Sequence, residues 1–376
     1  MTNLTSWLYV DLDIIADNIK AIKEYIGPVK LLAVVKADAY GHGIFPVASC
    51  AVENGADYLG VSSVEEGIFL RKKGIIAPVL IFNTILPEQA EDVVNFNLTS
   101  TICSIESVKA VDEAAKKCGK KARVHLKIDT GMGRFGILPK DAVEFTAKIY
   151  SGFNNIYLEG LYTHFSLASN EGNTRKQFNL FSSLINELKK KGIEIPLKHA
   201  CNSTALLNYK DMHLDMVRSG NLVYGMCPTS KIKTKNPSQL YSKIVFLKTL
   251  PKGHHVGYGN KFTTKKTTTI AIIPFGYYEG LGLTVHQPSN AVDVLKYLLK
   301  HLLTALGIRK QDRIVTIKGV KCNILGKISM QNSIIDVTDI RDRVSIGDVA
   351  ELNAPRINIS SSVARVYHKE NRIFTE

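Results

Sequence analysis

Residues 31–36 read LLAVVK, an apolar, β-branched run that closes on a lysine. The same signature returns in YLGVS (58–62), PVLIF (78–82), TSTIC (99–103), ARVHLKID (122–129), IYLEGLYTHF (156–165), LKHA (197–200) and DMVRS (215–219). Between these runs lie segments with helical spacing, among them DLDIIADNIKAIKEYI (11–26), SVEEGIFLRKKG (63–74), SIESVKAVDEAAKKCG (104–119) and TRKQFNLFSSLINELKKKG (174–192). Several carry Asp, Ser or Thr where a cap belongs and Gly where the helix should stop. Strands that alternate with helices build parallel sheets, and eight such units predict a (β/α)8 TIM-type barrel. A doubly wound open sheet is the alternative on pattern alone.

The texture changes further on. KIVFLKTL (243–250), TTTIAIIPF (267–275), RIVTIKG (313–319), NSIIDVTDI (332–340) and DVAELN (348–353) are short, β-rich and separated by Gly, Pro and Asp. We therefore expect a barrel over residues 1–235, whose first ten or so residues can join the second domain, and a mainly β domain over 236–376. The exception is a helical insertion at about 284–312, where AVDVLKYLLKHLLTALGIRKQD (291–312) sets leucines on one helix face. The pattern predicts a helix packed on the domain surface, with a partner-contacting helix as the alternative. No internal repeat is evident.

Composition narrows the functional classes. The chain has 376 residues, 45% hydrophobic and 22% charged, which suits two cored domains and excludes intrinsic disorder. No apolar run approaches the ~20 residues of a membrane span, and the start MTNLTSWLYVDLD lacks a secretory pattern. Six scattered cysteines without a C-x-x-C pair argue against a disulfide framework or zinc site, so no metal is expected and the expected location is cytoplasmic. The net charge of +14 invites a nucleic-acid reading, but the lysines are dispersed and no nucleic-acid-binding motif accompanies them. We expect neither a nucleic-acid nor a membrane partner.

In a barrel, catalytic groups sit where strands end and βα loops open. Here the strand ends deliver Lys36, Lys127 running on to Arg134, His164, Asn202 with Ser203, and Arg218 with Gly220 and Asn221. A lysine at the end of an apolar strand, beside other cations, loses stability as the ammonium and gains nucleophilicity. That is the state required for a Schiff base.

The run AVVKADAYGHG (33–43) resembles the pyridoxal-phosphate attachment motif of the alanine racemases. HLKIDTGMGRFGI, THFSLA, CNSTALLN, MVRSGNLVYG, VGYGNKF, IPFGYYEG and ILGKISMQNSIIDVTD follow in that family's order and at about its spacing, over nearly the whole chain. The resemblance implies a fold of barrel plus C-terminal β-domain, pyridoxal 5'-phosphate as cofactor and a small amino acid as substrate. It makes Lys36 the Schiff-base lysine and one of two bases, with Tyr258 from a second subunit as the other. Ser203, Gly220 and Asn221 would hold the cofactor phosphate together with Tyr40, and Asn202 belongs to the same cofactor-binding group. Arg218 would face the pyridine nitrogen, and as an arginine it donates without surrendering its proton. His164, backed by Arg218, would tune the phenol of Tyr258, which ordinarily titrates near ~10 in this residue type. Arg134 and the backbone amide of Met330 would bind substrate, Lys127 would orient Arg134 as a carbamate (an ion pair is the alternative), and Tyr277 would support the site. Composite sites of this kind imply a homodimer.

Three departures from the family stand out. Gln331 replaces an aspartate, Ser360 falls where the family has an entrance tyrosine (Tyr367 if the register shifts), and the segment 284–312 is longer than the family's connection after the GYxxG motif, in which Glu279 replaces the common aspartate. The expectation is alanine racemisation supplying D-alanine for peptidoglycan. The alternatives are a broader or serine-type racemase and a non-catalytic cofactor-binding protein.

Overall fold

A computed structural model of the chain describes residues 3–227, 229–283, 291–305, 314–354 and 356–375. It divides into two compact units, residues 12–237 and residues 1–11 with 238–376.

Residues 12–237 form the barrel. After β1 (Ser6–Asp11), which belongs to the other unit, come β2 (Lys30–Val34), β3 (Tyr58–Val61), β4 (Val79–Thr84) and β5 (Thr99–Ile102). They are followed by β6 (Ala122–Lys127), β7 (Ile156–Tyr162), β8 (Leu197–His199) and β9 (Met216–Ser219). The eight strands from β2 to β9 pair in parallel in the order β8-β7-β6-β5-β4-β3-β2-β9. The seam between β8 and β9 is bridged where Asp215 N donates to Lys198 O (3.1 Å) and Arg218 N to Cys201 O (3.0 Å). All eight apolar runs read from the sequence are these strands. A continuous apolar run is what a strand buried on both faces requires, and Leu32, Leu80, Leu197 and Met216 meet in the barrel interior.

Caps set the helix starts. Ser63 accepts from Glu66 N, with the Glu66 carboxylate reaching back to Ser63 N, a reciprocal capping box. Ser104 caps the helix Ile105–Lys117, and Asn170 caps Glu171–Lys190. The expected one-helix-per-strand rhythm fails once. No helix follows β9 among the described residues, because that segment turns at Gly220 and Gly225, where a Cβ at 225 would lie 2.2 Å from Lys235 O. Helix α1 (Leu12–Ile26), which precedes β2, takes up that flank through Asn18 Nδ2 donating to Val223 O (2.9 Å) and Tyr25 to Leu207 O (3.0 Å).

In the second unit, β1 pairs antiparallel with Ser238–Lys243 and parallel with Ala364–Lys369 inside a seven-stranded sheet. A three-stranded sheet joins Phe246–Leu250, Thr268–Ile273 and Ser333–Asp336. The insertion forms the helix Ala291–Ala305, while residues 284–290 and 306–313 lie outside the described residues. Its expected packing is corrected: Val292, Leu295, Leu298, Leu299 and Leu302 are all exposed, Leu295 by 67%.

Candidate active site

A cavity of about 290 Å³ opens where the barrel strands end. Its wall brings together Lys36, Tyr40, Lys127, Arg134, His164, Asn202, Ser203, Arg218, Gly220 and Asn221. Ser62, Phe82, Asn83, Met132, Tyr162 and Thr204, which the sequence reading passed over, complete much of it.

Lys36 is placed by an unusual turn. Ala37, Asp38, Ala39 and Tyr40 all lie in the left-handed region, with φ of 52°, 54°, 52° and 57°. For L-residues that conformation costs roughly 1–2 kcal/mol each, so the surroundings must over-determine it. Ala37 N donates to Glu66 Oε1 (2.6 Å), Ala39 N to Val35 O (2.9 Å), and Ile44 N to Asp38 Oδ1 (2.9 Å). The buried Tyr224 packs on both Tyr40 and His42, each at 4.8 Å between ring centroids, and its hydroxyl donates to Val34 O. Glu66 thus caps its own helix and props the lysine turn.

Electrostatics favour reactive amines. Burial, then the charge of Arg134, hold the Lys36 amine below its ordinary value. Burial, with Arg134 next, brings Lys127 down to about 8. Lys127 makes no salt bridge to any described residue and lies 5.4 Å from the Phe135 ring centroid and 5.5 Å from that of Tyr162. The ion pair considered as the alternative to a carbamate is therefore not formed among the described residues. Burial, and then the charges of Arg218, Lys127, Arg134 and Lys36, push His164 down to about 3, so its ring is neutral. Asp129 organises the loop that carries Arg134 by accepting from the backbone N–H groups of Gly131, Met132 and Gly133.

Arg218 is buried and held from every side. Nη1 donates to His199 Nδ1 (2.7 Å) and His199 O, and Nη2 to Thr163 O, Ala200 O and His164 Nδ1 (3.3 Å). Only Nε lacks a hydrogen-bond partner among the described residues. Beside it, Gly220 N donates to Ser203 Oγ (3.2 Å), and a Cβ on Gly220 would come 2.5 Å from the Tyr40 hydroxyl. Asn202, not Ser203, caps the helix Ser203–Asn208, its Oδ1 accepting from Ala205 N.

Tyr258, Tyr277 and Met330 belong to the other unit and are exposed, Tyr258 by 72%. Gly257 and Gly259, both at positive φ (74° and 70°), form the turn that presents Tyr258. Tyr277 and Met330 come together, since Tyr277 N donates to Ser329 O (3.2 Å) and Tyr278 N to Met330 O (2.9 Å). Tyr367 is buried in its sheet, while Ser360 N donates to Glu279 O (3.2 Å).

The sequence reading also missed what lies behind Arg218: His199, His125 and Glu159, all buried. Strand period gave a signal for His125, which is two residues from Lys127 and so on the same face. Glu159 gave none.

A lysine of lowered basicity, an arginine with one unpartnered donor, and a glycine-opened cradle with hydroxyl donors fit a phosphorylated carbonyl cofactor. Fold and site together define the class of barrel enzymes that hold pyridoxal phosphate on a lysine. Residues 10–228 match the family described as alanine racemase, N-terminal domain, and residues 238–376 match alanine racemase, C-terminal domain. The chain is 36% identical over 367 residues to alanine racemase 1 of Caldanaerobacter subterraneus subsp. tengcongensis, covering 96% of this chain and 88% of that protein. It is 35% identical over 351 residues to alanine racemase of Methanococcus maripaludis, covering 91% and 87%. Among solved structures, alanine racemase of Clostridium difficile 630 matches with a TM-score of 0.88 at 30% identity, covering 100% of this chain and 98% of that one. The chain belongs to the alanine racemase family.

Proposed function

We propose that the protein interconverts L- and D-alanine by a two-base mechanism, with the barrel (residues 12–237) holding the cofactor and one base and the β-domain (1–11 with 238–376) delivering the other. The observation that carries this reading is the convergence of Lys36, Arg134, His164 and Arg218 on one cavity with the Ser203–Gly220 cradle. Lys36 would hold pyridoxal phosphate covalently, Arg218 Nε–H would meet its ring nitrogen, and Ser203, Tyr40, Gly220 and Asn221 its phosphate. When bound, the cofactor supplies an electron sink that acidifies the Cα–H of the attached amino acid.

Lys36, with its basicity lowered, takes or returns the Cα proton on one face. Arg134 orients the substrate carboxylate by its planar, two-pronged donor set. On the opposite face we assign Tyr258 from a second copy of the chain, with Met330 of that copy donating its backbone N–H to the carboxylate. Because Arg218 donates to His164 Nδ1, the neutral His164 ring carries its proton on Nε2. That N–H can donate to the Tyr258 phenolic oxygen and stabilise it when it gives up its proton. A homodimer with two composite sites follows from this division of labour. Six cysteines, all free, fit a reducing compartment, and we read the product D-alanine as a precursor for peptidoglycan made in the cytoplasm.

The test is Cα-proton exchange in deuterated water with a chiral readout, using L-alanine and L-serine with added cofactor. Exchange and racemisation of alanine alone establish the reading. Comparable turnover of serine would favour the broader racemase that Ser360 and Gln331 motivate. Bound cofactor without exchange of either amino acid would refute it.

A further inference from the structure

Arg218 is a buried cation with no salt bridge to any described carboxylate, yet a carboxylate stands at the end of the hydrogen-bond chain behind it. Arg218 Nη1 contacts His199 Nδ1 at 2.7 Å, His199 Nε2 contacts His125 Nδ1 at 2.9 Å, and His125 Nε2 contacts Glu159 Oε2 at 3.3 Å. Both histidines are fully buried and Glu159 is 4% exposed. The outer oxygen, Oε1, pairs with Arg123 Nη1 at 2.6 Å.

Proton placement in this chain has one self-consistent solution with neutral rings. A guanidinium can only donate, so His199 Nδ1 accepts and its proton sits on Nε2. His199 Nε2–H then donates to His125 Nδ1, which leaves the His125 proton on Nε2 to be donated to the carboxylate. Burial outweighs the pull of Glu159 and lowers His125, and burial with the Arg218 charge lowers His199. Burial raises Glu159, but His125 and Arg123 reverse that and keep it ionised.

The backbone is built around the chain. Pairing of β6 with β7 runs Val124–Leu158 and then His125–Gly160, so Glu159 is the extra residue of a β-bulge. Bulges re-aim a side chain, and this one turns a glutamate into the barrel. At the next position, a Cβ on Gly160 would lie 2.5 Å from His125 Nδ1, so only glycine leaves room for that ring. His199 is fixed in plane by Tyr162, stacked at 4.7 Å with 3° between the rings.

We propose that Glu159, which does not line the cavity, is a positioning residue for the reaction: through His125 and His199 it fixes the proton placement and ring orientation that hold Arg218. This rests on the reading that Arg218 meets the cofactor ring. Glu159→Gln keeps an acceptor for His125 but removes the charge. It is expected to lower kcat about tenfold, the equivalent of ~1.4 kcal/mol, with KM within about twofold. Arg123→Gln, which leaves the carboxylate in place, is expected to hold kcat within about twofold.

The second measurement needs no variant to fold. In the 15N-histidine-labelled holoenzyme at neutral pH, His125 and His199 should both be neutral and protonated on Nε2. An Nδ1-protonated or doubly protonated ring at either position overturns the proposal, as does unchanged kcat in Glu159→Gln. Wild type is assayed alongside: failure to racemise alanine refutes the function, whereas racemisation with an indifferent Glu159 refutes only the relay.

Discussion

Gly220→Ala is the sharpest single perturbation of the cofactor cradle. The new methyl carbon would stand 2.5 Å from the Tyr40 hydroxyl and 3.0 Å from its Cζ, well inside contact distance. No φ penalty arises, because Gly220 is not among the positive-φ glycines, so the effect is purely steric. Tyr40 must move, and it is poorly free to do so: its backbone sits at φ 57° and its ring packs 4.8 Å from the buried Tyr224. Overpacking of this kind costs about 1–3 kcal/mol, which corresponds to roughly a 5- to 150-fold loss in cofactor affinity. The assay is titration of the apoprotein with pyridoxal phosphate, read by absorbance, with thermal unfolding of the apoprotein as control. Gly220→Ala/Tyr40→Phe removes the closest atom, so the double variant should recover part of the loss relative to Tyr40→Phe alone. Additive effects, with no coupling between the two changes, would refute the steric argument.

Lys36→Ala should abolish the absorbance band of covalently held cofactor and lower racemisation by about 10³-fold or more; a retained band would exclude Lys36 as the attachment point. Tyr258→Phe should impair exchange from one alanine enantiomer about 10²-fold more than from the other, and equal losses in single-turnover exchange would count against a base on the opposite face. Lys127, brought down to about 8, is protonated below that pH and increasingly neutral above it. Since only the neutral amine adds CO₂, carbamate occupancy at fixed dissolved CO₂ should rise from pH 6 to pH 9. Nuclear magnetic resonance with 13C-labelled CO₂ reads this directly, and no labelled carbamate at pH 9 would refute the modification.

The barrel strands were legible because burial on both faces favours unbroken apolar runs such as LLAVV and PVLIF, and TSTI reads as a strand through its β-branched residues instead. Lys36, Lys127, His164 and Arg218 were legible because each stands at or near the end of a barrel strand, whereas Arg134, Tyr40 and Tyr258 lie outside the strands and were legible only through the family motifs. The left-handed turn was not: Ala37, Asp38, Ala39 and Tyr40 contain no glycine, and what forces them there is tertiary, from Glu66 and Tyr224. Glu159 was hidden for a different reason. Period-two alternation assumes an unbroken register, and the β7 bulge opposite Val124 and His125 breaks it at that residue. The exposed helix Ala291–Ala305 shows the converse limit, since periodicity reports an apolar face but not whether anything covers it.

Two of the residues that depart from the family pattern, Glu279 and Gln331, meet in the structure. Glu279 is buried, its Oε2 accepts from Gly276 N at 2.7 Å, and its Oε1 faces Gln331 Nε2 at 3.5 Å, the long limit of a hydrogen bond. An aspartate at 331 would offer the Glu279 carboxylate only acceptors. An amide supplies a donor instead. The loop that Glu279 holds is the one clamped to Ser329 and Met330, where a Cβ on Gly276 would approach within 2.3 Å of the Met330 and Ser329 carbonyl oxygens. Glu279 and Gln331 therefore meet beside the Met330 backbone, the element assigned to the substrate carboxylate. Where the family carries an acid at both positions, the pair here has lost one carboxylate, so Gln331 stands with Ser360 as the motive for assaying serine beside alanine.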